Sequence, residues 1–243
     1  MIRVAATGDL HFGPDLAGTV RPSLEDLAER ADVLLIAGDV TRVGDPDEAK
    51  VLVEELRGLT VPVLAVLGNH DYHSDRQDEI RKILEGADIR VLEGEAATLE
   101  IDGSTLGVAG AKGFGGGFVG ASGSDFGEPE MKAFIRHTRD VSARLKEALS
   151  KLHTDHRVAL MHYAPVESTI RGERLEIYPF LGSYLLGEAV DAAGADLILH
   201  GHAHRGMERG VTPGGIPVRN VARPVLQRAY NVYCLGTDGV SAV

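Results

Sequence analysis

VLLIAGDV, residues 33–40, sets five aliphatic residues in a row and then breaks into Gly38 and Asp39. A run this short, without polar alternation, reads as a strand buried on both faces, the kind found in a sheet covered by helices. The pattern recurs as VAATGDLH at 4–11, VPVLAVLGNHD at 61–71, VALMHY at 158–163 and DLILHGHAH at 196–204. Helix signals lie between these runs. Ser23 followed by Asp26 resembles a capping box, and Asp45 with Pro46 reads as an N-cap and first helical residue, with Gly58 closing that helix. Ser74 to Gly86 repeats the arrangement, with Gln77 three residues after the cap. Strands alternating with helices predict an α/β core.

The middle of the chain changes character. Residues 89–110 read as a hairpin turning at Asp102 and Gly103. A long helix is expected over 129–152, where Met131, Phe134, Ile135, Thr138, Val141, Leu145, Leu149 and Leu152 keep one face. Ser183 reads as the N-cap of YLLGEAV, and Pro213, Gly214 and Gly215 as a turn between antiparallel strands. With no linker or low-complexity block, residues 1–243 read as a single domain.

Composition removes several function classes. Lys plus Arg number 25 against 36 Asp plus Glu, so the formal charge is 25 − 36 = −11, which argues against broad nucleic-acid or anionic-membrane binding. The one cysteine, Cys234, sits in the apolar stretch NVYCL and reads as a buried thiol; it excludes a disulfide scaffold and a zinc ribbon. No window approaches the roughly 20 apolar residues of a membrane span, and no leader pattern opens the chain, so a cytoplasmic location is the expectation.

The polar residues at the ends of the apolar runs carry the chemistry. If five buried strands each deliver them past their C-terminal ends, one edge receives Asp9, His11, Asp39, Asn69, His70, His162, His202 and His204. Carboxylates, imidazoles and an amide oxygen suit divalent first-row metals. Eight such groups are too many for one cation, but serve two if a carboxylate bridges. Residues i and i+2 on an extended strand end also point the same way, as in Asp9/His11 and His202/His204.

GDLHFG, GDVTRVG, GNHD, an isolated MHY and GHAH, in that order, resemble the motifs of the calcineurin-like metallophosphoesterases, and they run from residue 8 to residue 204. The resemblance implies an α/β fold of two packed mixed β-sheets flanked by helices, a four-layer α/β/β/α sandwich. It implies Asp9, His11 and His204 on one metal, Asn69, His162 and His202 on the other, Asp39 bridging, and His70 as the catalytic histidine. The implied cofactors are two divalent ions among manganese, iron, zinc, cobalt and nickel.

The implied reaction is hydrolysis of a phosphomonoester or phosphodiester of a small substrate by a metal-bridging hydroxide. A nuclease, or a catalytically silent metal-binding or scaffold protein, is the alternative on the same fold. Two divalent cations would also reverse the local sign of charge and attract phosphate in an acidic protein.

One departure stands out. Several branches of that family carry a second acid three residues after the bridging aspartate, then an arginine for phosphate; here those positions hold Arg42 and Val43. Orientation of His70 must come from Asp71 or a main-chain carbonyl, and Arg42 is the candidate for reaching phosphate. His73, in NHDYH, is a further candidate for lining the substrate site. His200, inside LILH, reads as a residue packed behind the ligands. Seven glycines among residues 113–127, interleaved with Phe114, Phe118 and Phe126, predict an active-site rim where Phe118 contacts the substrate. Residues 165–187, with Arg171 and Arg174, leave a contribution to phosphate binding or an interface between copies of the chain equally open.

Overall fold

The computed structural model describes residues 1–236 and 239–242. Its strands are β1 (Ile2–Thr7), β2 (Val33–Ala37), β3 (Val63–Val66), β4 (Ile89–Val91), β5 (Glu95–Ile101), β6 (Ser104–Ala111), β7 (Gly117–Phe118), β8 (Ala121–Ser122), β9 (His156–Met161), β10 (Leu197–His200), β11 (Arg209–Val211), β12 (Pro217–Asn220), β13 (Asn231–Gly236) and β14 (Gly239–Ala242). They form two six-stranded sheets, ordered β14-β13-β1-β2-β3-β4 and β11-β12-β10-β9-β6-β5, and a small β7-β8 hairpin. In the first sheet β1 to β4 run parallel; in the second, β6, β9, β10 and β12 do.

Alternation along each strand explains the layering. Val33, Leu35 and Ala37 of β2 face the other sheet and meet Val108, Val158, Leu160, Leu197 and Leu199 in a shared core. Leu34 and Ile36 point the opposite way, against Leu52, Leu56, Ile80 and Leu84 of the helices Pro46–Leu56 and Gln77–Glu85. On the far side, Ala159, Met161 and Ile198 pack against Val141, Leu145 and Leu149 of the helix Pro129–Ser150 and Leu186 of the helix Tyr184–Ala193. The result is the four-layer α/β/β/α sandwich. Among the described residues, no helix is long and apolar enough to cross a membrane.

Several local expectations hold in detail. The Asp45 side chain accepts from the Asp47 amide at 3.0 Å with Pro46 opening its helix, and Ser183 accepts from the Leu185 amide at 3.3 Å. Asp102 and Gly103 take φ of 48° and 81° at the β5-β6 turn, where positive φ is what a tight hairpin demands.

Others are corrected. The hairpin starts at Glu95, because Ile89–Val91 pairs parallel with β3 in the other sheet. Ser74 caps nothing: its hydroxyl donates to the Val43 carbonyl at 2.6 Å, and the helix begins at Gln77. Asp26 precedes a short helix, Leu27–Arg30, without a side-chain cap bond. The turn at Pro213, Gly214 and Gly215 does join antiparallel strands, β11 and β12, and β13 lies antiparallel to β1 in the other sheet.

Candidate metal centre

Parallel strands put their C-terminal ends on one edge, and both sheets face that edge together. β1 delivers Asp9 and His11, β2 Asp39, β3 Asn69 and His70, β9 His162, and β10 His202 and His204. Asp9, His11, Asp39 and His202 sit at φ of 55°, 46°, 50° and 69°. Such left-handed backbone in residues other than glycine costs on the order of 1–3 kcal/mol each and persists where surrounding contacts impose it. Here the Asp9 amide donates to Gly38 O at 3.0 Å, the His11 amide to Asp39 O at 2.9 Å, and the His202 amide to the Asp9 carboxylate. The motif glycines are a matter of space: a Cβ on Gly68 would lie 2.0 Å from Asp39 Oδ1, and one on Gly201 would lie 2.2 Å from Asp9 Oδ2.

The proton arrangement tests whether the edge fits a cation. His162 Nδ1 donates to the Ala37 carbonyl at 2.9 Å, so its Nε2 presents a lone pair. His202 Nε2 faces the Phe180 carbonyl at 3.2 Å, so its Nδ1 does the same. These two nitrogens stand 3.1 Å apart, with Asn69 Oδ1 at 2.9 Å and Asp39 Oδ1 at 3.4 Å from His162 Nε2. Acceptors converging with no proton among them are what a cation site requires, and carbonyls holding the opposite ring nitrogens fix the ligating tautomers. Burial, joined by His162, pushes His202 down to about 3, so its ring stays neutral.

A second group adjoins the first. His204 Nε2 lies 2.8 Å from Asp9 Oδ1 and 3.4 Å from His11 Nε2. Burial opposes ionisation of Asp9, yet the His204 bond and neighbouring histidines together hold its carboxyl below the usual range. Asp39 links the groups through different oxygens: Oδ1 faces His162, while Oδ2 is 3.8 Å from His11 Nε2 and 4.0 Å from His70 Nε2. Three overlapping sets of possible ligands result: Asp9, His11 and His204; Asp39, His162 and His202; and His11, Asp39 and His70.

The family model for the calcineurin-like phosphoesterases matches residues 2–206. The chain belongs to that family. Comparison with curated sequences finds no match. Among solved structures, phosphopantetheinyl hydrolase (PptH) from Mycobacterium tuberculosis is similar at 15% identity and a TM-score of 0.66, over 99% of this chain and 95% of that one. The NAD nucleotidase (NadN) of Haemophilus influenzae aligns at 15% identity and a TM-score of 0.56, over 100% of this chain and 55% of that one. GAP50 of Plasmodium, the anchor in the inner membrane complex, aligns at 12% identity and a TM-score of 0.60, over 99% and 83%. Likeness at this level concerns the fold, which hosts enzymes and an anchor alike.

In this calcineurin-like phosphoesterase, His70 is oriented by main chain: its Nδ1 donates to the Arg42 carbonyl at 2.6 Å, leaving Nε2 toward Asp39. That carbonyl is itself held in place. The Glu48 carboxylate, nearly buried, accepts from the amides of Arg42 and Val43 at 2.9 Å each. Glu48 thus braces the loop in which the second acid of other branches is missing.

Asp71 sits elsewhere. It is fully buried and accepts from the amides of Val40, Thr41 and Gly68 at 3.2, 2.8 and 2.7 Å and from the Thr41 hydroxyl at 2.6 Å. It ties the Asp39 loop to the Asn69 loop and does not hold the His70 ring. Asp71→Asn places an amide N–H₂ against these donors and is expected to cost about 3 kcal/mol. That corresponds to a melting midpoint lower by about 6–12 °C, with weaker metal binding; an unchanged midpoint in calorimetry would remove Asp71 from this role.

The remaining expected contacts fall outside the cluster. The Arg42 guanidinium pairs with Asp15 at 2.9 and 3.0 Å, both side chains exposed. His73 is exposed at the end of the 3-10 turn His70–Tyr72. Phe118 is 4% exposed, packs with Ala164, Ile170, Leu181 and Ala203, and borders a pocket with Val166, Tyr184 and Val211 whose lining includes none of the candidate ligands. His200 is enclosed, its Nε2 2.8 Å from the Thr169 hydroxyl. Arg171 reaches Glu167 at 4.0 Å.

One residue escaped the sequence reading. Lys112 follows β6, which runs parallel to β9 and so ends on the same edge. The signal was present in VAGAK, another apolar run broken by a charged residue.

Proposed function

We propose that the chain hydrolyses a small phosphate ester with two divalent cations, one held by Asp9, His11 and His204, the other by Asn69, His162 and His202, and both by Asp39. The observation that carries this reading is the convergence of lone pairs at His162 Nε2, His202 Nδ1, Asn69 Oδ1 and Asp39 Oδ1, with the second Asp39 oxygen turned to the other group. When bound, two such cations supply a polarised water as nucleophile and neutralise charge on the phosphoryl oxygens. The chain adds position and a proton. With its Nδ1 proton committed to Arg42 O, His70 works through Nε2, which accepts in the neutral ring and donates to the leaving oxygen when the ring is the imidazolium. The net charge of −11 favours a small ester over a nucleic acid.

The test uses the full chain stripped with a chelator and reloaded with manganese, iron, zinc, cobalt or nickel. Hydrolysis of p-nitrophenyl phosphate or its bis ester should be absent after stripping and return on reloading. Inactivity on both esters with every metal would contradict the proposal.

A further inference from the structure

Lys112 is 8% exposed, and its ammonium lies 4.7 Å from the ring centre of Tyr72, 5.1 Å from Phe114 and 5.3 Å from Tyr163. Among the described residues, no carboxylate lies within salt-bridge distance of Nζ and no acceptor bonds it. The nearby Glu93 carboxylate instead accepts from the Lys112 main-chain amide at 3.3 Å. The side chain is largely enclosed by aromatic faces, while Nζ itself keeps contact with solvent and has no protein acceptor.

Its neighbours place it at the metal centre. Tyr72 lies two residues after His70; the Tyr163 ring stands 4.5 Å from that of His202 and 5.5 Å from that of His162. The Lys112 carbonyl accepts the amides of both His162 and Tyr163, at 3.0 and 3.1 Å, so the residue is fixed to the ligand strand by its own backbone. Burial lowers the ammonium's pKa, with the charges of Glu93 and Asp39 acting against it, so Asp39 is within electrostatic reach.

We infer that Lys112 binds the phosphoryl group of the substrate and selects dianionic monoesters over monoanionic diesters. This rests on the phosphoesterase reading above. The cation stands in for the arginine missing at Val43, and the unmet hydrogen-bonding capacity of Nζ is met when a phosphoryl oxygen arrives. A cation with few water contacts attracts a dianion more strongly than a monoanion, which is the source of the selectivity. The cage of Tyr72, Phe114 and Tyr163 encloses the stem of Lys112 and leaves Nζ open for an incoming oxygen.

The experiment compares the manganese-loaded full chain with Lys112→Met, which fills the cage without charge, and with Lys112→Gln, which is polar but neutral. Both variants should retain the wild-type metal content. Their kcat/KM for p-nitrophenyl phosphate should fall about 10- to 100-fold, mostly through KM. The bis ester should change less than about threefold, and calorimetric affinity for inorganic phosphate should weaken in step with the monoester. The melting midpoint of Lys112→Met should be no lower than that of wild type, because a largely enclosed charge has been removed. Equal losses on both esters, or no loss on either, would overturn the assignment. If the unsubstituted protein cleaves neither ester, the phosphoesterase reading is what fails. The phosphate titration then decides on Lys112 alone, and equal affinity in wild type and variants rejects it.

Discussion

Asp39→Ala should abolish measurable phosphoesterase activity and leave the chain with fewer than two tightly bound cations. Asp39 is 1% exposed, and its two oxygens face different ligand groups, so removing it opens both. It also accepts the His70 amide at 2.8 Å, and its loss frees the loop that carries Asn69 and His70. Outer partners of metal ligands typically cost about 10- to 100-fold when removed, and a carboxylate shared by two cations should exceed that range. Activity assays with metal analysis of the same preparation check this, and an active variant carrying two cations would show that Asp39 does not bridge.

His70→Ala should behave differently, retaining both cations while kcat falls by about 10²- to 10⁴-fold, the range for a positioned general acid. The side chain is 44% exposed and held through Nδ1 by a carbonyl, which leaves Nε2 open to meet substrate. The loss should grow with the basicity of the leaving group, because p-nitrophenolate departs without help whereas an alkoxide needs the proton. Rates for aryl and alkyl phosphates, measured in wild type and variant, give the slope. A loss independent of the leaving group would mean that His70 positions substrate and does not protonate it.

The layers and the ligand edge were readable because each central strand is buried on both faces and ends where the core does, so its first polar residues mark the edge. Asp39, Asn69 and His162 obey that rule; in β1 and β10 the buried Thr7 and His200 come first, and Asp9 and His202 follow two residues later. Ile89–Val91 misled because its buried-exposed-buried alternation is the same in a parallel or an antiparallel pair, and only contact with β3 assigns it to the first sheet. Ser74 has the chemistry of a cap, but a tertiary partner, the Val43 carbonyl, took its hydroxyl. Phe118 lies in a glycine-rich stretch that reads as a loop, yet the residues that bury it come from positions 164 to 203, beyond local pattern. The Arg42 carbonyl that aims His70 belongs to the main chain and leaves no mark in side-chain identity. Lys112 lies two residues beyond the expected hairpin of 89–110, and only the parallel pairing of β6 with β9 brings it to the ligand edge.

The claim on which everything else depends is that this edge binds two cations through a shared carboxylate. Titrating the chelator-stripped, unsubstituted chain with manganese, with Asp39→Ala alongside, measures it directly. Two cations per wild-type chain are expected, with activity returning as the second binds, and weaker, substoichiometric binding in the variant. A single site in the wild type, or the same stoichiometry and affinity in both proteins, would contradict it.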